Sequence, residues 1–199
     1  MKAIDNIKAG FKIFTDNLVA FAVATIIVGF GSMFIIPMPP LFVGLFIMAR
    51  KAVKGEKPEI GDVFKGFSMF IKSWMYFVLV MFASMIGMIV YTVFMVISMA
   101  VKSGILTVIS FIILGIAVIW SIIIALTQLY GFSLLVDGDR SALKAFKDSI
   151  GVFRKNIVDS IVLIIVLDII CIVLYMTVIG MLAAIPLVAI VLTKTALEA

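Results

Sequence analysis

Long stretches without a charge constrain this chain more than any other feature. Residues 17–49, 73–101 and 103–136 contain no Asp, Glu, Lys or Arg, and residues 160–193 contain one, Asp168. Apolar runs of this length read as membrane helices. Of the 199 residues, 65% are apolar and 14% charged. Soluble domains carry about 45–50% and about 25%. A soluble core cannot hide that excess, so lipid must be the solvent for much of the surface. Short segments of alternating polarity, the mark of a membrane β-barrel, are absent from the sequence. The expected fold class is an all-α integral membrane protein, a single transmembrane domain over residues 1–199.

The net charge is +5. Its Lys and Arg residues flank the apolar runs, so the balance points to a membrane surface and not to nucleic acid. One cysteine, Cys171, allows no internal disulfide. The chain has no histidine, which removes the commonest general base, the commonest zinc ligand and any Ser-His-Asp triad. No Gly-rich phosphate loop is present. No enzymatic activity, catalytic residue, cofactor or metal is expected. The first residues do not read as a cleavable signal peptide, because Lys2, Asp5, Lys8, Lys12 and Asp16 interrupt any apolar core before residue 17.

One unit recurs. Residues 3–18, 59–74 and 142–157 superimpose without gaps under offsets of 56 and 139. Ile4, Ile60 and Leu143 coincide, as do Ile7, Val63 and Phe146, then Gly10, Gly66 and Ser149. Next come Phe11, Phe67 and Ile150, then Phe14, Phe70 and Phe153, and Asn17, Ser73 and Asn156 close the unit. The shared apolar positions fall at helical spacing and make one stripe. Such a helix can lie in the membrane interface, or its stripe can pack on neighbouring protein. A helical hairpin follows each time: 18–36 with 38–53, 74–101 with 105–135, and 157–178 with 181–195. The return arms of the first and third share a Pro-Leu start, Pro40-Leu41 and Pro186-Leu187. Three repeats are expected, 3–53, 59–135 and 142–199, with six membrane-embedded helices. The short return arms leave hairpins one and three either crossing or re-entrant.

With the N-terminus inside, segments 1–16, 50–72, 137–156 and 194–199 hold 15 of the 16 Lys and Arg residues; Lys102 is the other. This is a strong positive-inside signal, placing both termini on the cytoplasmic side of a cell membrane.

The motifs Pro40-Leu41 with Gly44, Lys54-Gly55-Glu56-Lys57-Pro58, Phe64-Lys65-Gly66-Phe67, and Asp137-Gly138-Asp139 leading into Ala142–Asn156 support a comparison. Together they resemble a broad group of poorly characterised bacterial and archaeal polytopic membrane proteins. That group includes the membrane domain attached to some glycerophosphoryl diester phosphodiesterases. The resemblance covers nearly the whole chain and implies a fold and a topology. It implies no reaction, because these residues include no phosphodiesterase catalytic domain.

Asp168 is the sharpest single signal. It lies 11 residues beyond Ile157, about 16 Å into a hydrocarbon core of about 30 Å. A carboxylate there costs about 2.5–3.5 kcal/mol on insertion scales, so it must be protonated, paired or facing a wet cavity. The expected partners are neutral: Gln128 first, with Thr127 and Ser121. Either a proton or cation relay or a helix-to-helix hydrogen bond would fit. Met81, Met85, Met88, Met95 and Met99 form a row that could offer thioethers to Cu(I), with Cys171 as a further soft ligand. Met is equally a packing residue, and packing is the reading adopted.

The expected function is a non-enzymatic scaffold or accessory subunit. It would bind anionic membrane lipid or a partner through basic amphipathic helices, alone, as a homo-oligomer or in a larger membrane complex. The alternative is a small transporter or channel with Asp168 as an intramembrane proton or cation site.

Overall fold

The computed structural model describes residues 2–137 and 140–198. Gly138 and Asp139 of the Asp-Gly-Asp motif lie outside the described residues. Regular structure among the described residues is helical throughout. Helix α1 (Lys2–Asp16) leads into α2 (Leu18–Ser32) and α3 (Met38–Val53). A 3-10 segment (Ile60–Met69) leads into α4 (Phe70–Val101), which returns as α5 (Gly104–Thr127) and the short α6 (Gly131–Leu135). Helices α7 (Ala142–Lys155), α8 (Ile157–Tyr175) and α9 (Val178–Glu198) follow.

Local chemistry sets these boundaries. Pro39 and Pro40 sit in the first turn of α3, where a missing N–H leaves no bond unmade. The hydroxyls of Ser103 and Ser141 accept the backbone N–H groups of Leu106 and Lys144 and so cap α5 and α7. Two expected arms differ. The second amphipathic stretch is a 3-10 segment, and the arm expected over 105–135 divides into α5 and α6. The division falls where Gly131 lets the Tyr76 ring approach, since a Cβ there would overlap the phenol.

Four stretches are long and apolar enough to cross a membrane: Ile60–Val101, Gly104–Thr127, Ile157–Tyr175 and Gly180–Glu198. Thus four of the six helices expected to enter the membrane meet the length for crossing. Helices α2 and α3 have 15 and 16 residues. They reach about 22–24 Å, short of a core of about 30 Å. Helices α1 and α2 meet at 92°.

The centre is formed by α3 packed on α9. Leu41, Val43, Leu45 and Met48 of α3 and Leu187, Ile190 and Val191 of α9 are buried there. The short segments pack outward in a regular order. Helix α1 rests on α8 and α9, the 3-10 segment on α2 and α3, and α7 on α4, α5 and α6. A small residue sits at each contact. Gly10 faces Val191, and Gly66 faces the backbone of Pro40 and Gly44. Ser149 donates its hydroxyl to the Thr127 carbonyl at 2.7 Å.

The phenylalanines of these segments do not form one inward row. Phe14 is buried and Phe146 and Phe153 are half-buried, but Phe11, Phe67 and Phe70 are exposed. Close backbone approach at the small residue sets which face is inward, and Phe11 and Phe67 each lie one position past it, turned about 100° away.

Helices α4 and α5 pair along most of their length. Trp120 donates its indole N–H to the Ala83 carbonyl at 2.8 Å, and Ser121 donates to the Ser84 carbonyl at 3.0 Å. Between them Gly87 meets Ala117, with room for no Cβ: one would lie 2.8 Å from the Ala117 Cα. This is the close approach that small residues at four-residue spacing permit. The remaining surface of the pair is exposed Ile, Val, Met and Phe.

Candidate functional site

The polar residues singled out at membrane depth separate into two groups. Gln128 is buried between helices. Its Oε1 accepts the Tyr76 hydroxyl at 3.0 Å, and its Nε2 donates to the Phe146 carbonyl at 3.3 Å. The Thr127 carbonyl takes the Ser149 hydroxyl, and Ser121 bonds α4 as described. Tyr130, fully buried, shares a hydrogen bond of 2.9 Å with Ser160 of α8. These bonds join α4, α5, α7 and α8 with side-chain and backbone partners matched inside the chain.

Asp168 stands apart. It is exposed on α8 and makes no hydrogen bond among the described residues. The expected Asp168–Gln128 bond is therefore not formed. Gln128 faces α4 and α7, and its amide is already engaged by Tyr76 and Phe146. The methionine row is likewise not gathered with Cys171. Met81, Met85, Met88 and Met99 are exposed along α4. Helix α4 packs on α3, α5 and α7, whereas α8 packs on α1, α7 and α9.

The second candidate site is the basic end of the molecule. Asp62, 1% exposed, accepts Lys51 Nζ at 2.8 and 2.9 Å and Lys65 Nζ at 2.6 Å. Its Oδ2 also takes the Glu59 backbone N–H at 2.9 Å. Beside it, Arg50 donates to the Val136 carbonyl at 2.8 Å and pairs with Asp137. Asp137 in turn meets Arg140, which also reaches Asp148 at 3.6 Å. These links tie segment 50–65 to segment 136–148. The two ends of the chain join the same region: Asn6 donates to Thr195 at 3.1 Å, and a small recess there is lined by Ala3, Asn6, Asn156, Asp159 and Thr195.

Beside a wider cleft of about 480 Å³ lined by Asp16, Asn17, Lys57 and Glu59, two further open clefts lie at this end. One, of about 350 Å³, is lined by Ile47, Arg50, Lys51, Lys54, Glu56, Met69 and Val136. The other, of about 340 Å³, is lined by Leu134, Arg140, Lys147, Asp148 and Lys155. Each combines an apolar wall with cations. Lys8, Lys12, Lys54, Lys57, Lys147 and Lys155 are exposed.

The buried carboxylate of Asp62, the pairing of Gln128 with Tyr76, and the Tyr130–Ser160 pair were not anticipated from the sequence. Asp62 lies beside the shared apolar positions Ile60 and Val63 and reads from the sequence as part of the polar face with Lys65, so its burial was not marked there. Tyr76, at the start of a span, reads as an interface aromatic, and Tyr130, in an apolar run, reads as packing.

No family model, curated protein or solved structure matches the chain.

Proposed function

We propose that this chain is a non-enzymatic membrane protein that serves as a scaffold or accessory subunit. Its basic end would engage anionic lipid headgroups or a partner at the cytoplasmic surface. The observation carrying this reading is the convergence of the Lys- and Arg-bearing segments on one end. Acids there neutralise Arg50, Lys51, Lys65 and Arg140. Exposed lysines remain around two clefts that open beside apolar side chains. Each cation near an anionic leaflet contributes about 1 kcal/mol of attraction.

The finer architecture belongs to the same proposal. The chain is three repeats, each an interfacial segment followed by a hairpin. Support comes from the order of packing, in which each short segment rests on the hairpin before it and α1 closes the ring on the last one. Hairpins α4–α5 and α8–α9 cross, and α2–α3 is re-entrant. The α2–α3 connection exposes Met33, Phe34, Ile35 and Ile36 at 68–77%, as residues in hydrocarbon would be. Its Ile36 carbonyl takes the Trp74 indole N–H at 3.0 Å, which supplies the bond that a backbone turn in lipid lacks.

Reconstitution into vesicles of zwitterionic lipid with a minor fraction of spin-labelled anionic or zwitterionic lipid tests the function. The account expects anionic lipid to be enriched at the protein, and the enrichment to fall when Lys54, Lys57, Lys147 and Lys155 are changed together to Gln. Equal enrichment in the variant would refute it. A pH-driven flux abolished by Asp168→Asn would favour the transporter reading instead.

A further inference from the structure

We infer that the outward face of α8 is a self-association surface on which Asp168 of one copy of this chain hydrogen-bonds to Asp168 of a second. The inference rests on the reading of α8 as a membrane span and is independent of lipid binding at the basic end. Ile161, Ile165, Asp168 and Ile172 recur at helical spacing and fall within one narrow stripe. The three isoleucines are 42, 54 and 59% exposed, and Asp168 is exposed among them. Seven residues follow Asp168 before α8 ends at Tyr175, so with α8 read as a span the carboxyl lies about 10 Å from the nearer end of the helix, deeper than so short a side chain spans.

A carboxyl facing hydrocarbon is costly, and acids within spans are almost always paired or turned to the protein interior. Among the described residues, none hydrogen-bonds or ion-pairs with Asp168. Its helix packs on α1, α7 and α9. Polar side chains of the other spans are bonded elsewhere, Gln128 with Tyr76, Tyr130 with Ser160 and Ser121 with Ser84, and the Thr193 hydroxyl of α9, buried without a partner, makes no bond to Asp168. The sequence places no Lys or Arg within the spans at that depth. The partner must come from outside the chain.

A second copy supplies it by symmetry. In a two-fold assembly with its axis along the membrane normal, equivalent residues lie at equal depth, and residues near the axis face their own counterparts. An α8–α8 contact therefore brings a carboxyl to a carboxyl without requiring a cation. One protonated carboxyl donates and the other accepts. The flanking isoleucines pack as apolar surface on either side.

Cross-linking tests this in vesicles. In a Cys171→Ser background, Ile165→Cys and Ile172→Cys place single thiols on the stripe, and Ile119→Cys places one on the exposed side of α5 as a control. Oxidation should give covalent dimers at 165 and 172 and not at 119. Adding Asp168→Leu should lower the yield several-fold, whereas Asp168→Asn should keep it, because an amide both donates and accepts. Asp168 makes no hydrogen bond or ion pair among the described residues, so unchanged thermal unfolding in dilute detergent verifies that the Leu variant is folded. No dimer at 165 and 172 above the control would overturn the inference, as would an undiminished yield with Leu.

Discussion

Asn17 and Asn156 end their helices in the same way. Their backbones have φ of −126° and −127° with ψ of 28° and 40°. Each donates its backbone N–H three residues back, to Phe14 and to Phe153. Each also donates its side-chain Nδ2 four residues back, to Ile13 and to Val152. Met69 makes a similar kink, φ −107° and ψ 23°, before α4. The asparagine amide satisfies a carbonyl that the turn leaves without a partner. Asn17→Ala and Asn156→Ala should each cost about 0.5–1.5 kcal/mol in thermal or denaturant unfolding in detergent. The two sites share no partner, so the losses should add.

Gly44 and Gly66 set the closest approach in the molecule's centre. A Cβ on Gly66 would sit 2.6 Å from the Gly44 nitrogen and overlap the Pro40 carbonyl. Backbone cannot rotate away as a side chain can, so Gly66→Ala should destabilise by about 1–3 kcal/mol or more. Gly151 of α7 has open space around its Cβ position. Gly151→Ala should be neutral or stabilise by up to about 1 kcal/mol through helix propensity. Melting temperatures of the two variants, measured side by side, check the contrast.

Asp62 is the acid through which α3 and the 3-10 segment are joined electrostatically. Asp62→Ala would leave Lys51 and Lys65 without their carboxylate and the Glu59 N–H without its acceptor. The expected cost is about 1.5–3 kcal/mol, the range for bonds to charged groups. Asp62→Asn should recover part of it, since one amide oxygen still accepts. Unfolding of the three proteins under one set of conditions gives the comparison.

Tyr76 and Gln128 link α4 to the end of α5. Tyr76→Phe, Gln128→Leu and the double variant form a cycle. The coupling should fall near about 0.6–1.7 kcal/mol, as for interhelical bonds in membranes. A coupling of zero would show that the phenol and the amide do not depend on one another.

The helical membrane class was legible in the uncharged runs, because no soluble core can bury them. The ends of the first and third short segments were legible too, since Asn17 and Asn156 close the repeated stretch, whereas the second ends at Met69 and Ser73 lies inside α4. The depth of Asp168 followed from counting residues, but its direction did not. Helix α8 is apolar on every side, so its sequence holds no polar face to mark the outside. Its rotation is set by α1 and α9, which come from the two ends of the chain. The meeting of Gly44 with Gly66 was hidden for a related reason: glycine in a membrane helix marks a close approach without saying to what. Gln128 was singled out as a partner for Asp168, whereas its amide bonds Tyr76 and Phe146, and Tyr76 was missed because tyrosine at a span's start also reads as an interface anchor.

The topology is tested most directly by single cysteines in a Cys171→Ser background, labelled in intact cells and after permeabilisation with a membrane-impermeant maleimide. Ser103→Cys should label from outside. Glu56→Cys should label only after permeabilisation. Phe34→Cys, in the exposed apolar connection between α2 and α3, should resist the impermeant reagent in both conditions and react with a lipid-soluble one. Labelling of position 56 from outside would contradict the orientation, and labelling of position 34 from outside would contradict the re-entrant hairpin.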